Sequence, residues 1–259
     1  MNDQTASERL EPPPPKFVTG STMRHVVVMT ATASVGLLAI FFVDFLSLLY
    51  VSWLGDPAAT AGVGFASVVF FFVISINIGL MIAVSAIVSR ALGAGDRPRA
   101  RQLASASMAL MVVGSLLMSV IVMAALPLLL PLLGAQGRAL DVAHRFLMIA
   151  LPSTVLMALG MGWSSVLRAV GDARRAMSVT LIGGIVTAVL DPLLIFGLKL
   201  GVDGAAIATV ISRVAFAYFG YRGAVMIHDL VARPTIDALR HHSRAVIAIA
   251  GPAVLTNLA

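Results

Sequence analysis

The sequence predicts an all-α protein, a polytopic integral membrane bundle of six transmembrane helices followed by the start of a seventh. Hydrophobic residues make up 59% of the 259 residues, and charged residues only 12%. Apolar runs of about 20 residues, the length that one membrane-crossing helix requires, recur along the chain. Short segments rich in Gly, Asp and Arg separate these runs. The composition therefore excludes a soluble globular domain.

The apolar runs place the spans in order along the chain. We expect them near 26–52, 58–89, 103–133, 146–167, 177–198 and 204–227, and from 245 onward. The second and third are longer than a bilayer requires, so tilt or an extension beyond the bilayer is expected. At the junctions, Gly ends one helix and Asp starts the next, as in Gly95-Asp96 and Gly171-Asp172.

The spans divide the chain into four segments. Residues 1–24, with the run Pro12 to Pro15, are predicted to be a disordered tail. Residues 25–227 form a six-helix lobe, and residues 228–244 form a linker. Residues 245–259 are too short to span and carry Gly251-Pro252, so we interpret them as the start of a truncated second lobe.

Basic residues predict the orientation of the lobe. They are concentrated after spans two and four and are sparse after spans one, three and five, as expected when the richer side faces the cytoplasm. Arg9, Lys16 and Arg24 put the N-terminus on that side. We expect a multi-pass protein of the inner (plasma) membrane with a cytoplasmic N-terminus. The four arginines after span two and the three after span four are Arg90, Arg97, Arg99, Arg101, Arg168, Arg174 and Arg175.

Several function classes are excluded by the pattern of polar residues. The eighteen Lys and Arg residues punctuate apolar runs instead of forming a basic face with interleaved aromatics, so no nucleic-acid partner is expected. No phosphate-binding Gly-rich loop with Lys indicates an ATPase. No histidine lies near a span centre to act as the base of a serine hydrolase. We therefore expect no enzyme and no cofactor.

Two carboxylates inside apolar runs point to ion-coupled transport. Asp44 lies in the first span, and Asp191 lies in the fifth, directly before Pro192. An ionised carboxylate in lipid costs at least about 2.5 kcal/mol, so such residues usually face a cavity, an ion or a partner. A low-dielectric pocket favours the neutral acid, and a second carboxylate nearby favours it further. Pro192 also leaves the carbonyl of Ala188 without its helical donor, which provides an oxygen for a cation or water.

Several segments resemble the multidrug and toxic compound extrusion transporters, from roughly residue 25 to residue 259. No single motif decides this, but their order and spacing are specific in combination. They are Asp44 before Trp53-Leu54-Gly55, then Ser89-Arg90-Ala91-Leu92-Gly93-Ala94-Gly95-Asp96, then Leu167-Arg168-Ala169-Val170-Gly171-Asp172, and finally Leu190-Asp191-Pro192-Leu193 running into Gly201-Val202-Asp203-Gly204-Ala205-Ala206-Ile207-Ala208-Thr209. Members of this family have two six-helix lobes around a central cavity and exchange a cation for an organic substrate. The chain resembles the first lobe.

The resemblance implies a Na⁺ or H⁺ site in this lobe. Its carboxylates fall on Asp44 and Asp191, a backbone carbonyl falls on Ala205, and a hydroxyl falls on Thr209 one turn further along. The position one turn before Asp191 is often Asn in the family, whereas here it is Thr187. A hydroxyl is a weaker Na⁺ ligand than an amide carbonyl, so the departure favours H⁺. No metal other than Na⁺ at this same site is expected.

Two further polar residues leave alternatives open. Arg213 is four residues from Thr209 on the same helix face. It either pairs with Asp191, which would keep the pair charged, or extends to the membrane surface or a wet crevice. Asn77 either lines the cavity or hydrogen-bonds to another helix. The aspartates themselves have a structural alternative, as carboxylates capped by hydroxyls or paired with an arginine.

The sequence thus predicts the N-terminal half of a secondary active antiporter. It would export organic, cationic compounds in exchange for H⁺ or Na⁺, with membrane lipid around it and a second lobe as its partner. Two alternatives remain open. One is a lipid-linked saccharide flippase of the same superfamily, which needs intramembrane basic residues; only Arg213 qualifies. The other is a non-transporting membrane fragment.

Overall fold

Six helical spans, each long and apolar enough to cross a membrane, follow one another in the computed structural model, which describes residues 22–230 and Pro252. No strand occurs in that part of the chain, so the predicted all-α membrane bundle is confirmed. The helices are α1 (Thr22–Ser52), α2 (Pro57–Gly93), α3 (Arg97–Leu132), α4 (Gly137–Ala150), α5 (Thr154–Ala169), α6 (Ala173–Pro192) and α7 (Val202–Tyr221).

Most of the predicted tail and linker lies outside the described residues. Of residues 1–24 the structure describes only 22–24, and of residues 228–244 only 228–230. The predicted start of a second lobe is described at Pro252 alone. These divisions therefore stay predictions.

The helix junctions are built as the Gly-Asp pairs predict. Gly95 and Gly171 adopt left-handed backbone conformations, with φ of +74° and +86°. The carboxylates of Asp96 and Asp172 then accept the backbone N–H three residues on, at 3.0 Å and 3.2 Å. Only glycine adopts such a φ at little cost, and an aspartate at the N-cap satisfies a free helical donor. The junctions are consequently only three residues long.

The fourth span begins earlier than the sequence predicted. It runs from Gly137 to Ala169 instead of 146–167, so Arg138 and Arg145 lie in helix α4 and not in a connection. The buried residues Ala143, Phe146, Leu147 and Ala150 recur with helical spacing, while the charged residues of this segment are exposed. An amphipathic segment of this kind is missed by a search for uniform hydrophobicity.

Proline interrupts the bundle at two places. Helices α4 and α5 form one span, joined by a single 3₁₀ turn, Leu151–Ser153, that contains Pro152. Helix α6 ends at Pro192 and continues as a π-helical turn, Leu193–Gly197. Because proline lacks an N–H, each break frees main-chain carbonyls from the regular helical pattern.

Ion pairs and hydrogen bonds gather the helix ends into two groups. At one end, the Arg97 guanidinium donates to the carbonyl of His228 at 2.7 Å, and Arg101 pairs with Asp229 at 2.9 Å. We call this the arginine-rich end; it also carries the loops at 94–96 and 170–172. At the opposite end, Arg138 pairs with Asp56 at 2.7 Å. The helices thus run up and down, as alternating membrane crossings require.

Helix α1 lies at the margin of the bundle. It packs mainly against α6 and less against α2, and it leaves a row of large apolar side chains exposed. The main cores lie instead among α2, α3, α4, α5 and α7. An exposed apolar face of this size suits contact with lipid or with a second apolar surface.

Candidate cation site

Asp191 is buried at the interface of α6 and α1. Its side chain lies in the last turn of α6, and the residue is only 1% exposed. The hydroxyl of Ser47, from α1, donates to Oδ2 of this carboxylate. The second oxygen, Oδ1, is buried and has no hydrogen-bond partner among the described residues. A buried carboxylate with one uncompensated oxygen is a group that can accept a proton or a cation.

Asp44 lies on the same side of α1 as Ser47, three residues earlier, so the two share a helix face. Unlike Asp191, Asp44 is an exposed residue in the described part of the chain. The two carboxylates are within electrostatic reach of each other. The fold therefore brings together the two aspartates that the sequence selects.

The start of α7 packs directly against the turn that follows Asp191. A Cβ on Gly204 would lie 2.8 Å from both the carbonyl carbon and the oxygen of Leu194. Only a glycine permits this approach, and it places Ala205 in the same buried cluster as Ile195. Gly204 was missed as a site residue because its role is to let two backbones meet.

The carbonyl of Ala205 and the hydroxyl of Thr209 are hydrogen-bonded to each other. The hydroxyl donates to the carbonyl at 2.9 Å within α7. No hydrogen bond joins either residue to Asp44 or Asp191 in the described part of the chain. A cation at Ala205 would therefore share that carbonyl with Thr209, or displace its hydroxyl.

Thr187 lies one turn before Asp191 on α6, as predicted. Its hydroxyl donates to the carbonyl of Gly183, in its own helix, at 3.1 Å. The hydroxyl hydrogen is thus occupied, while the oxygen retains lone pairs for a ligand. Serine and threonine commonly form this bond inside membrane helices.

Arg213 forms no ion pair with Asp191 among the described residues, and its extension to the membrane surface or a wet crevice stays a prediction. It is 8% exposed, and its Nη1 donates to the carbonyl of Ala150 and to the hydroxyl of Ser153, both at 2.9 Å. Its guanidinium lies over the ring of Phe70, 4.7 Å from the centroid. The physical reason is the 3₁₀ turn: the Thr154 N–H donates to the carbonyl of Leu151 instead of that of Ala150, whose carbonyl accepts from the Ser153 hydroxyl at 2.6 Å and from Arg213.

The charge of Arg213 nevertheless acts on the site. Arg213 and Asp44 are within electrostatic reach of each other. A buried guanidinium over an aromatic face is held by a cation–π contact in addition to its hydrogen bonds. It is therefore a fixed positive charge within electrostatic reach of Asp44.

Asn77 is 1% exposed in the middle of α2. Its amide donates to the carbonyl of Val73, in the same helix, at 3.0 Å. Its Oδ1 is buried without a hydrogen-bond partner among the described residues. The expected hydrogen bond to another helix is therefore not formed within the described lobe.

Ser47 is a second residue of the candidate site, after Gly204, that sequence analysis missed. It was the only side chain found to hydrogen-bond Asp191 in the described structure. One signal was available, because a hydroxyl three residues after Asp44 must share its helix face. The same spacing is common in membrane helices without any functional meaning, so it did not distinguish Ser47.

The donor set defines what the site can hold. Two carboxylates and the Ser47 hydroxyl lie close together, and no group of three or more His, Cys, Asp or Glu residues that could hold a metal occurs in the described chain. Such a set suits a proton or one small monovalent cation better than a transition metal. A cavity of about 570 Å³ lies between the end of α1 and the start of α2, and none of the predicted cation-site residues lines it.

Comparison with known families and proteins gives one consistent result. The MatE family profile matches residues 32–193. A FAD transporter of Shewanella oneidensis is 30% identical over 242 residues, which cover 91% of this chain and 53% of that protein. The multidrug export protein MepA of Staphylococcus aureus is 29% identical over 188 residues, 71% of this chain and 39% of that protein. The chain thus spans about half the length of the first relative and less of the second.

Solved structures agree with the fold. A MOP superfamily transporter from Pyrococcus furiosus superimposes with a TM-score of 0.86 at 25% identity, over 95% of this chain and 55% of that one. The Vibrio cholerae MATE transporter VcmN, in its bent form, gives a TM-score of 0.84 at 28% identity, over 91% of this chain and 53% of that one.

Proposed function

Since the chain belongs to the MatE family of membrane transporters, and not to a class of enzymes, we propose that it forms the N-terminal lobe of a secondary active antiporter. In this proposal the transporter exports organic, cationic compounds in exchange for H⁺. The observation that carries the proposal is the buried Asp191 carboxylate, with one oxygen on Ser47 and the other unpartnered. The second lobe and a small organic substrate are its proposed partners.

The charges around the site favour a single coupling cation. Asp44 and Asp191 carry two negative charges when ionised, and Arg213 carries one positive charge, which leaves a net charge of −1. One proton, or one Na⁺, brings the sum to zero. A neutral set is the form that a low-dielectric interior tolerates best. Each charge moved across the membrane is worth about 2.3 kcal/mol per 100 mV, which supplies the driving force.

The hydrogen bond between Ser47 and Asp191 couples the cation to helix α1. A bond to an ionised acceptor is about twice as strong as one between neutral groups. Protonation of Asp191 therefore weakens the link between α1 and α6, and α1 has few other partners in the lobe. We propose that this release lets α1 bend and the substrate leave as the lobes rock.

H⁺ is favoured over Na⁺ by the hydroxyl groups of the site. Thr187 stands where an amide carbonyl would provide a stronger Na⁺ ligand than a hydroxyl. A proton needs only the free carboxylate oxygen. Na⁺ requires several oxygens to converge.

The flippase alternative has less support than the antiporter. It depended on Arg213 facing a lipid phosphate, whereas Arg213 is buried and bound by Ala150 and Ser153. The non-transporting fragment stays open as the outcome in which no export is measured.

The experiment is accumulation of a fluorescent cationic dye in pump-deficient cells that express the intact protein. We expect the wild type to exclude dye and Asp191→Asn to lose exclusion, because an amide cannot cycle a proton. Asp141→Asn, at an exposed aspartate of α4, is the matched control and should export normally. Equal dye levels in wild-type and empty cells, with the protein verified in the membrane, would contradict the proposal.

A further inference from the structure

Arg168 lines a second cavity, well apart from the cation site. The cavity holds about 330 Å³ between α2 and α5, near the arginine-rich end. Besides Arg168 its polar lining consists of three serines, Ser85, Ser89 and Ser165. No acidic side chain lines it.

Among the residues that the structure describes, the guanidinium of Arg168 has no acidic partner. Its Nη1 lies 3.8 Å from the thioether sulfur of Met81, and no ion pair in the described part of the chain includes it. A thioether is a weak acceptor, so within residues 22–230 most of the five N–H donors of this half-buried cation have no hydrogen-bond acceptor. By contrast, the neighbouring Arg175 and Arg101 pair with Asp172 and Asp229.

The serines add donors to the same cavity. Ser165 donates to the carbonyl of Met81 at 3.1 Å, which fixes one wall. Ser85 and Ser89 lie one turn apart on one face of α2, and no hydrogen bond is formed by either hydroxyl in the described structure. A guanidinium can only donate hydrogen bonds, and each of the two available hydroxyls can donate one. Such a set of donors matches an anion with several oxygens.

The depth of the cavity matches the lipid headgroups. Helix α2 has 37 residues and is about 55 Å long at 1.5 Å per residue, more than the roughly 40–45 Å of a whole bilayer. Its final turns therefore reach the polar interface, and Arg168 lies in the last turn of α5 beside them. Basic pockets between membrane helices at this level bind acidic headgroups.

We propose that the cavity lined by Ser85, Ser89 and Arg168 binds a phosphate-bearing anion, with the headgroup of an acidic phospholipid as its source. The phosphate oxygens accept from the guanidinium and from the two hydroxyls, and the acyl chains follow the apolar surface of α2 at Ile82 and Ala86.

The test is native mass spectrometry of the delipidated, intact protein with phosphatidylglycerol, phosphatidylcholine and inorganic phosphate as three separate probes. We expect phosphatidylglycerol to bind in preference to phosphatidylcholine, and Arg168→Gln to weaken its binding at least about tenfold, as loss of charge-assisted hydrogen bonds predicts. Arg90→Gln is the matched control, an exposed arginine outside the cavity, and should lower binding no more than about fivefold.

Two further arms keep the result interpretable. Arg168→Lys should retain part of the preference, and Ser85→Ala with Ser89→Ala, which leaves the charge in place, should weaken binding about fivefold or more. Binding of inorganic phosphate that depends on Arg168, without a preference for phosphatidylglycerol, would support the phosphate site and assign it to a soluble anion. Binding that is the same in wild type and Arg168→Gln, or absent in both, would overturn the proposal.

Discussion

Replacing Gly204 with alanine tests how closely α7 must approach the turn after Asp191. The added Cβ would lie 2.8 Å from the carbonyl carbon and oxygen of Leu194 and 3.0 Å from the nitrogen of Ile195. Ordinary contact begins at 3.4 Å, so the two backbones must separate by about 0.6 Å. Main-chain atoms cannot rotate away as a flexible side chain can.

The expected cost is that of overpacking a tight interface, about 1–3 kcal/mol. For a protein of this size it corresponds to a fall of roughly 3–10 °C in the apparent melting temperature. Ala205 and Thr209 move with the helix, so export should also fall at temperatures where the variant is still folded.

The assay is thermal unfolding of the purified protein together with dye export. Gly64→Ala in α2 is the matched control, since nothing lies within 4 Å of its added Cβ. It should be neutral, or stabilising by up to about 1 kcal/mol, as alanine is the better helix former. If Gly204→Ala melted with the wild type and exported normally, the close approach of α7 to Asp191 would be refuted.

Three further predictions follow from individual contacts. Ser47→Ala removes the hydroxyl that donates to Asp191, so it should destabilise the protein by about 1–3 kcal/mol and impair export. Ser52→Ala is the control and should do neither, because the Ser52 hydroxyl bonds within its own helix. Equal melting temperatures of the two variants would contradict the assignment of Ser47. Arg213→Gln should lower stability by about 1.5–3 kcal/mol, because the bonds to Ala150 and Ser153 are charge-assisted; a melting temperature equal to that of the wild type would refute this. Burial tends to raise the pKa of the Asp172 carboxyl, but hydrogen bonds from His228 and Arg175 outweigh it and hold that pKa below its ordinary 3.8. The ionised carboxylate therefore stabilises the protein at pH values above 3.8, and this contribution is lost as the pH falls below 3.8 and through the lowered pKa. Melting curves recorded from about pH 7 down to about pH 2 should show a larger acid loss for the wild type than for Asp172→Asn.

The bundle was predictable because hydrophobic length alone selects a membrane helix. The helix ends were less so. Arg97, Arg174 and Arg138 all fall inside helices that the apolar runs placed further along the chain. Charged residues extend a membrane helix beyond the apolar run when one face stays buried, and a search for uniform hydrophobicity does not detect that face.

The proximity of the two aspartates could be expected from the sequence, whereas the hydrogen bond that Asp191 accepts could not. Asp44 and Asp191 stand out because a carboxylate inside an apolar run is costly. A hydroxyl carries no such signal, because most hydroxyls in these helices bond to a carbonyl of their own helix, as Thr187 and Thr209 do. Ser47 differs from them because helix α6 places the Asp191 carboxylate beside its hydroxyl.

The environment of Arg213 depended on a break in a different span. The four-residue spacing from Thr209 correctly predicts the helix face on which Arg213 lies, but it does not predict the hydrogen-bond acceptors of Arg213. Those partners exist because a 3₁₀ turn interrupts the fourth span and presents the Ala150 carbonyl and the Ser153 hydroxyl to Arg213. Sequence spacing within one helix cannot reveal an acceptor that a second helix provides.

The most direct test is proton release when a cationic substrate binds. The purified, intact protein would be titrated with substrate in weakly buffered solution with a pH indicator dye. We expect the wild type and Asp141→Asn to release about one proton per substrate bound, since one proton neutralises the set of Asp44, Asp191 and Arg213. We expect no release from Asp191→Asn. Proton release from Asp191→Asn equal to that of the wild type, or none from the wild type while it binds substrate, would contradict the assignment of Asp191 as the coupling site.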